Sequence, residues 1–324
     1  MAALGVALPS VVSAHGADVP PEPDLGAMLL GWTFEPLVAI PLGGAGLLWW
    51  YAVRRVNAVH PTNPVPRERS IFFGLGLLAL AIALMSGVDA YDTTLFTVHM
   101  VQHILLAMVA APLIVMAGPI TLLLRFVSPE DRRRYVLPLL HSRPVRALTH
   151  PVVAWLLFAG VMWAAHFSPL FDAALESEPL HFLEHALFLG SALLFWWPAI
   201  GIDPSPWGMP YPAKALYVFL QMPQNTFLAM AILFAGQPLY PHYETLVRDW
   251  GPTPLVDQQV AAGLMWISGD LIFLAALIGI LWRWLRDEER RQEREDARLD
   301  ARMASIRERE ARLAEQKAAD SAGI

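Results

Sequence analysis

The chain has 324 residues, 56% of them hydrophobic and 16% charged, with a formal net charge of −6. Apolar runs of about bilayer-spanning length alternate with short polar stretches, which excludes a soluble core, and no nucleic-acid partner is expected. Cys is absent, which excludes disulfides, thiolate metal sites and thiol redox chemistry; a bound metal must rest on His, Met or carboxylate.

Residues 2–12 are apolar and lead into the small residues Val12-Ser13-Ala14, ahead of His15-Gly16. This reads as a signal peptide over 1–14 without a basic n-region. Cleavage after Ala14 leaves His15 first, and a terminal amine beside an imidazole chelates copper, the ion at the top of the divalent affinity order. An extracytoplasmic segment is expected over 15–33, Pro-rich and acidic between Asp18 and Asp24.

A membrane domain over 34–284 then holds seven candidate spans, at 34–53, 70–87, 97–118, 152–167, 182–200, 215–236 and 260–281. Each is near the length a transmembrane helix needs, and none alternates polar with apolar residues as a barrel strand would. The fold class is therefore an all-α integral membrane protein with seven transmembrane helices. Of the 23 Lys and Arg, all but Arg248 fall on one side of this arrangement. By the positive-inside rule that side is cytoplasmic, so the N-terminus is outside and the C-terminus inside the bacterial cytoplasmic membrane. The basic stretch 128–146 lies along the inner headgroups, and Trp49, Trp50, Trp196, Trp197, Trp282 and Trp284 read as an inner interfacial belt. Over 285–324 Arg, Glu, Ala and Asp dominate, giving a charged cytoplasmic helical tail. Leu299, Met303, Ile306 and Leu313 lie close to a heptad seam interrupted by Glu310. The tail reads as a solvated helix, with homo-oligomerisation through that seam as the alternative.

The chemistry-bearing residues collect at the outer ends of the spans. His99 and His103 are four apart at the start of the third span, and His181 and His185 repeat that spacing at the start of the fifth. Residues four apart share a helix face, so each pair suits one metal or one cavity. His166 ends the fourth span on the same side. Met85, Met100, Met162, Met230 and Met265 lie in the same half, with Asp89, Asp92, Glu184 and Asp257 at helix ends. Imidazole with thioether suits copper, especially Cu(I). The expected metal site is His99, His103, His166, His181, His185, Met100 and Met265, with His15 as a separate copper ligand. Asp270 lies deeper, where a carboxylate needs a partner, and Gln221, Gln224 and Asn225 around Pro223 put amides and a helix irregularity inside the sixth span.

These motifs resemble a known family. His99-Met-Val-Gln-His103 with Pro112 and Gly118-Pro119, His181-Phe-Leu-Glu-His185 with Trp196-Trp197-Pro198, Gln221-Met-Pro-Gln-Asn225 with Pro238-Leu-Tyr240, and Asp257-Gln-Gln-Val-Ala-Ala-Gly263 with Trp266 are similar to the CtaG-type cytochrome c oxidase assembly proteins of bacteria. The resemblance covers about 37–284 and is to the seven-span type, not the single-span, Cys-bearing chaperone that shares the name. It implies an accessory membrane protein that is not an enzyme and that helps supply copper to a haem-copper oxidase subunit in the membrane.

Three other functions fit parts of the pattern. His181-Phe-Leu-Glu-His185 matches the inverted zinc-protease motif, in which two His bind zinc and Glu184 activates water. Facing histidines could ligate haem in a b-type cytochrome. A copper transporter would use Asp270 and the sixth-span amides as a deeper path.

Overall fold

The computed structural model describes residues 19–322, so the signal-peptide reading over 1–14 and His15 lie outside the described residues. Among the described residues every regular element is helical. Six helices are long and apolar enough to cross a membrane: Pro36–Val59, Arg67–Tyr91, Phe96–Phe126, Glu178–Ile200, Tyr211–Leu233 and Pro254–Ala314. A seventh span results if Pro151–His166 and Leu170–Glu176, bent by 68° to each other, are taken together. The protein is thus a multi-pass membrane protein whose spans overlap the apolar runs read from the sequence, the runs passing the helix ends by at most a few residues. Proline opens several of them, as at Pro36, Pro151 and Pro254, where its missing N–H costs no helical bond. The first span leaves Leu37, Ile40, Leu47 and Leu48 exposed, an apolar face that lipid covers.

The third span organises the bundle, and carboxylates from elsewhere in the chain cap it twice. At its start, Asp257 accepts from the backbone N–H of Phe96 (2.7 Å) and Thr97 (3.2 Å) and from the Thr97 hydroxyl (2.5 Å). Near its end, Gly118 takes φ +71° ahead of Pro119 and interrupts the helix. There Asp203 accepts from the N–H of Ile120 (3.0 Å) and Thr121 (2.7 Å) and from the Thr121 hydroxyl (2.6 Å). Helix N-termini carry unsatisfied N–H groups and positive partial charge, so a carboxylate is the fitting partner for each. These contacts also fix the alternation of the spans. Asp257 puts the start of the seventh beside the start of the third, and Asp203 puts the fifth-to-sixth connection beside the end of the third.

Two prolines shape the interior. Pro112 cannot donate, and the third span widens into a π-segment over Leu105–Ala110, with the Ala111 N–H reaching back to the Leu106 carbonyl. The next carbonyl, Ala107, would need the N–H that Pro112 lacks, and it accepts instead from the Trp196 indole at 3.0 Å. Trp196 is therefore a core residue, stacked on Phe273 at 5.7 Å, and Trp49 is buried against Phe73 at 4.1 Å. Both correct the interfacial-belt reading: at these two positions an internal acceptor satisfies the indole N–H, Ser70 Oγ at 3.2 Å in the case of Trp49. Pro223 acts likewise in the sixth span, which breaks at Leu220 between Tyr211–Phe219 and Gln221–Leu233.

The chain to Ala276 forms one compact unit, and a second begins at Leu277. In the second, Arg291 and Glu295 pair at 3.1 Å one turn apart, and the seam residues Leu299, Met303, Ile306 and Leu313 are all exposed.

Candidate metal centre

Five imidazoles meet at one end of the bundle, where the third and fifth spans begin and the fourth ends. The helix that starts at Phe96 sets His99 and His103 one turn apart on its inward face, with ring centroids 4.3 Å apart. Glu178–Ile200 does the same for His181 and His185, at 4.2 Å. Across the two helices His99 stacks on His181 at 5.5 Å, and His103 stands 6.0 Å from His185 and 6.4 Å from His166. All five are buried, His99 completely. The short helix Leu170–Glu176, turned back by the bend after His166, lays Phe171 against His99 at 4.8 Å, and Phe188 covers His103 at 3.8 Å.

Two carboxylates complete the group. Glu184, between His181 and His185 in sequence, comes within 3.7 Å of His99 Nε2, and Asp92 Oδ2 lies 3.5 Å from His181 Nε2. Asp92, His181 and His185 form one set whose ligand atoms all lie within 4.8 Å of one another; His99, His181 and Glu184 form another. The turn holding Asp92 is tied from outside. The Tyr243 hydroxyl donates to the Asp92 carbonyl at 3.0 Å, and His242 Nε2 meets the Thr93 carbonyl at 2.9 Å. Burial raises the Tyr240 and Tyr243 phenols above their usual range, so both stay neutral donors, and burial with nearby Asp89 raises the Asp92 carboxyl.

Several buried donor atoms here are left over. Neither oxygen of Asp92 or Glu184 takes a well-formed hydrogen bond, nor does either ring nitrogen of His99 or His103, nor His166 Nε2. Buried polar atoms are normally paired, and lone pairs converging without donors suit a cation. Others are committed: His166 Nδ1 to the Met162 carbonyl at 2.7 Å, and His185 Nε2 to Gln102 Oε1 at 2.9 Å. Gln102 in turn donates to the Ala83 carbonyl at 3.0 Å and to Asp89 at 3.3 Å, so it orients His185 through the second span. Sequence reasoning gave Gln102 no role; its only signal was an amide between two inward-facing histidines.

Beside the histidines lies a cavity of about 30 Å³. His103 and His166 line it, with Met100, Met108, Met162 and Met265. Met108 was not singled out in the sequence, because the π-segment shifts the register that would have marked it. Met85 and Met230 do not line the cavity. Asp270 is partnered as its depth requires, accepting from Asn225 Nδ2 at 3.2 Å and from the Thr226 hydroxyl at 2.9 Å.

Fold and site together define a class: a polytopic membrane protein with a desolvated imidazole and carboxylate centre at one end of its bundle. The sequence profile of the cytochrome c oxidase caa3 assembly factor family (Caa3_CtaG) matches residues 27–287, and the chain belongs to that family. It is 31% identical over 293 residues to an uncharacterized protein of Mycobacterium bovis and to one of Mycobacterium tuberculosis, covering 88% of this chain and 44% of each relative. An uncharacterized protein of Mycobacterium leprae is 29% identical over 299 residues, covering 89% of this chain and 45% of the relative. The chain therefore spans about half the length of the curated relatives it matches. No solved structure matches it.

Proposed function

We propose that the protein takes up copper at its histidine end and hands it to the haem-copper oxidase whose assembly it serves. The observation that carries this reading is a set of buried ligand atoms without well-formed hydrogen bonds, nitrogens of His99, His103 and His166 and oxygens of Asp92 and Glu184, of which His99 with Glu184, and Asp92, fall in two groups of three close enough to hold an ion. A cation supplies the partners these atoms lack, and imidazole with neighbouring thioether suits copper among the available metals. The basic residues support placing the histidine end on the extracytoplasmic side, where copper is met before it reaches the oxidase.

The alternatives fit the geometry less well. A zinc protease needs His181 and His185 on one ion with Glu184 free to activate water; the two histidines do share a set, with Asp92, but Glu184 groups as a ligand with His99 and His181, and His185 is bonded to Gln102. A cavity of about 30 Å³ has no room for a haem macrocycle. The transporter reading loses its deep ligand, because Asp270 already holds two donors.

The test is metal analysis of protein purified through a tag without histidine. Copper at about one equivalent or more, with Cu²⁺ binding lost in His181→Ala, supports the reading; a parent protein that binds no copper under reducing or oxidising conditions overturns it. Side is tested separately, since a chain without Cys accepts single probes. An impermeant thiol reagent should label Glu178→Cys in intact cells and Arg133→Cys only after permeabilisation, both positions being exposed.

A further inference from the structure

The centre is not chemically uniform, and its two halves differ in charge. On one side of His103 lie two overlapping sets of nitrogen and oxygen ligands that share His181, Asp92 with His181 and His185, and Glu184 with His99 and His181, each holding one carboxylate. On the other side is the cavity that His103 and His166 share with Met100, Met108, Met162 and Met265, and no carboxylate lines it. His103 belongs to both. Its ring lies 4.3 Å from His99 and 6.0 Å from His185 on one side and 6.4 Å from His166 on the other, and neither of its nitrogens has a hydrogen-bond partner.

We infer that these are two adjoining metal sites of opposite selectivity, an outer one for a divalent ion and an inner one for a monovalent soft ion, Cu(I). This rests on the proposed copper function and divides its site. The argument is charge compensation in a low-dielectric interior. A carboxylate in each set, with the other nearby, offsets the charge of a divalent ion, and without an ion such buried carboxylates are costly. In the carboxylate-free cavity a divalent ion would hold its full charge uncompensated, whereas Cu(I) brings half that charge and binds neutral sulfur and imidazole by preference. The size permits it, since about 30 Å³ admits one ion with at most a water or two. His166 also presents Nε2 alone, its Nδ1 being held by the Met162 carbonyl, which gives the inner site a ligand of fixed orientation.

The experiment uses the full chain in detergent, stripped by chelator, and measures Zn²⁺ and Ag⁺ affinities separately, with Ag⁺ as a redox-inert stand-in for Cu(I). The triple variant Met100→Leu, Met162→Leu, Met265→Leu keeps volume and polarity close to the parent. It should lose Ag⁺ affinity by about 100-fold or more while Zn²⁺ stays within about 3-fold. The pair Asp92→Asn, Glu184→Gln should do the reverse. X-ray absorption of the Cu(I)-loaded parent needs no variant and should show sulfur among the nearest atoms. The inference is overturned if Ag⁺ binding survives the triple variant, if both metals weaken together in both variants, or if Cu(I) sees only nitrogen and oxygen. Each of those results leaves copper binding intact, whereas a parent that binds neither metal sinks the copper reading itself.

Discussion

Asp257 and Asp203 on one hand, and Asp92 and Glu184 on the other, are buried carboxylates of one small protein in opposite circumstances. Each of the first pair takes three hydrogen bonds at a helix start, two from successive backbone N–H groups and one from a threonine hydroxyl. The second pair takes no well-formed hydrogen bond and lies against histidine nitrogens, Glu184 3.7 Å from His99 and Asp92 3.5 Å from His181. A carboxylate can stay buried because the fold satisfies it or because something else will, and the difference separates scaffold from site without reference to any relative. The scaffold pair even supports the site, since the Asp257 cap sets where the third span starts and so where His99 and His103 point.

The comparison is broken most forcefully at Asp257. Replacing it by Ala strips a buried helix start of three bonds to a charged acceptor, and the expected loss is about 3 kcal/mol of stability. Reversible unfolding in mixed micelles measures it; a loss below about 1 kcal/mol would show that the cap is incidental. Next comes His181, the one imidazole in both candidate ligand sets. His181→Ala should lower affinity for a divalent ion, Cu²⁺ or Zn²⁺, by more than about 100-fold with the helical signal unchanged, and His60→Ala, at an exposed position, should leave affinity at the parent value. Smaller again is Gly118→Ala. The φ of +71° disfavours any Cβ, and an added one would sit 3.1 Å from the Arg69 and Ile202 side chains, so about 1–2 kcal/mol of stability should go with no change in metal affinity.

The sequence shows the membrane class, the spans and the two histidine pairs because these depend on local patterns: run length, cation asymmetry and a spacing of four. Glu184 was visible too, as one of four helix-end carboxylates beside the histidines and as part of a motif for a different chemistry, but not as a ligand. What the sequence hides depends on contacts far along the chain. Nothing near Asp203 announces that it caps residues some eighty positions earlier, and Asp257 reads as a helix-end acid that could as well have been a ligand. Trp196 is the clearest case. A tryptophan at a span's end looks interfacial, and only the pairing of the π-segment with Pro112 creates the buried acceptor that draws it inward. Met108 stayed unmarked for the same reason.

The smallest expected effect is the sharpest test of the comparison, because it is an effect near zero where intuition expects a loss. Asp92→Asn and Glu184→Gln each keep the shape of the side chain and remove the capacity to carry charge. If these carboxylates were structural, as Asp257 is, the metal-free protein would lose stability on either change. As metal ligands they bring the metal-free fold no well-formed hydrogen bond to lose, and a neutral isostere relieves the cost of burying a carboxylate, so the change is neutral or stabilising by about 1 kcal/mol. The cost should surface only when metal is added. A ligand at 100 times its dissociation constant stabilises the parent by about 2.7 kcal/mol, and a variant bound 100-fold more weakly keeps only about 0.4 kcal/mol of that. Unfolding curves of parent and both variants, each with and without Zn²⁺, decide the matter. Near-coincident metal-free curves that separate on metal addition assign Asp92 and Glu184 to the site. A metal-free loss as large as that of Asp257→Ala assigns them to the scaffold and removes the distinction.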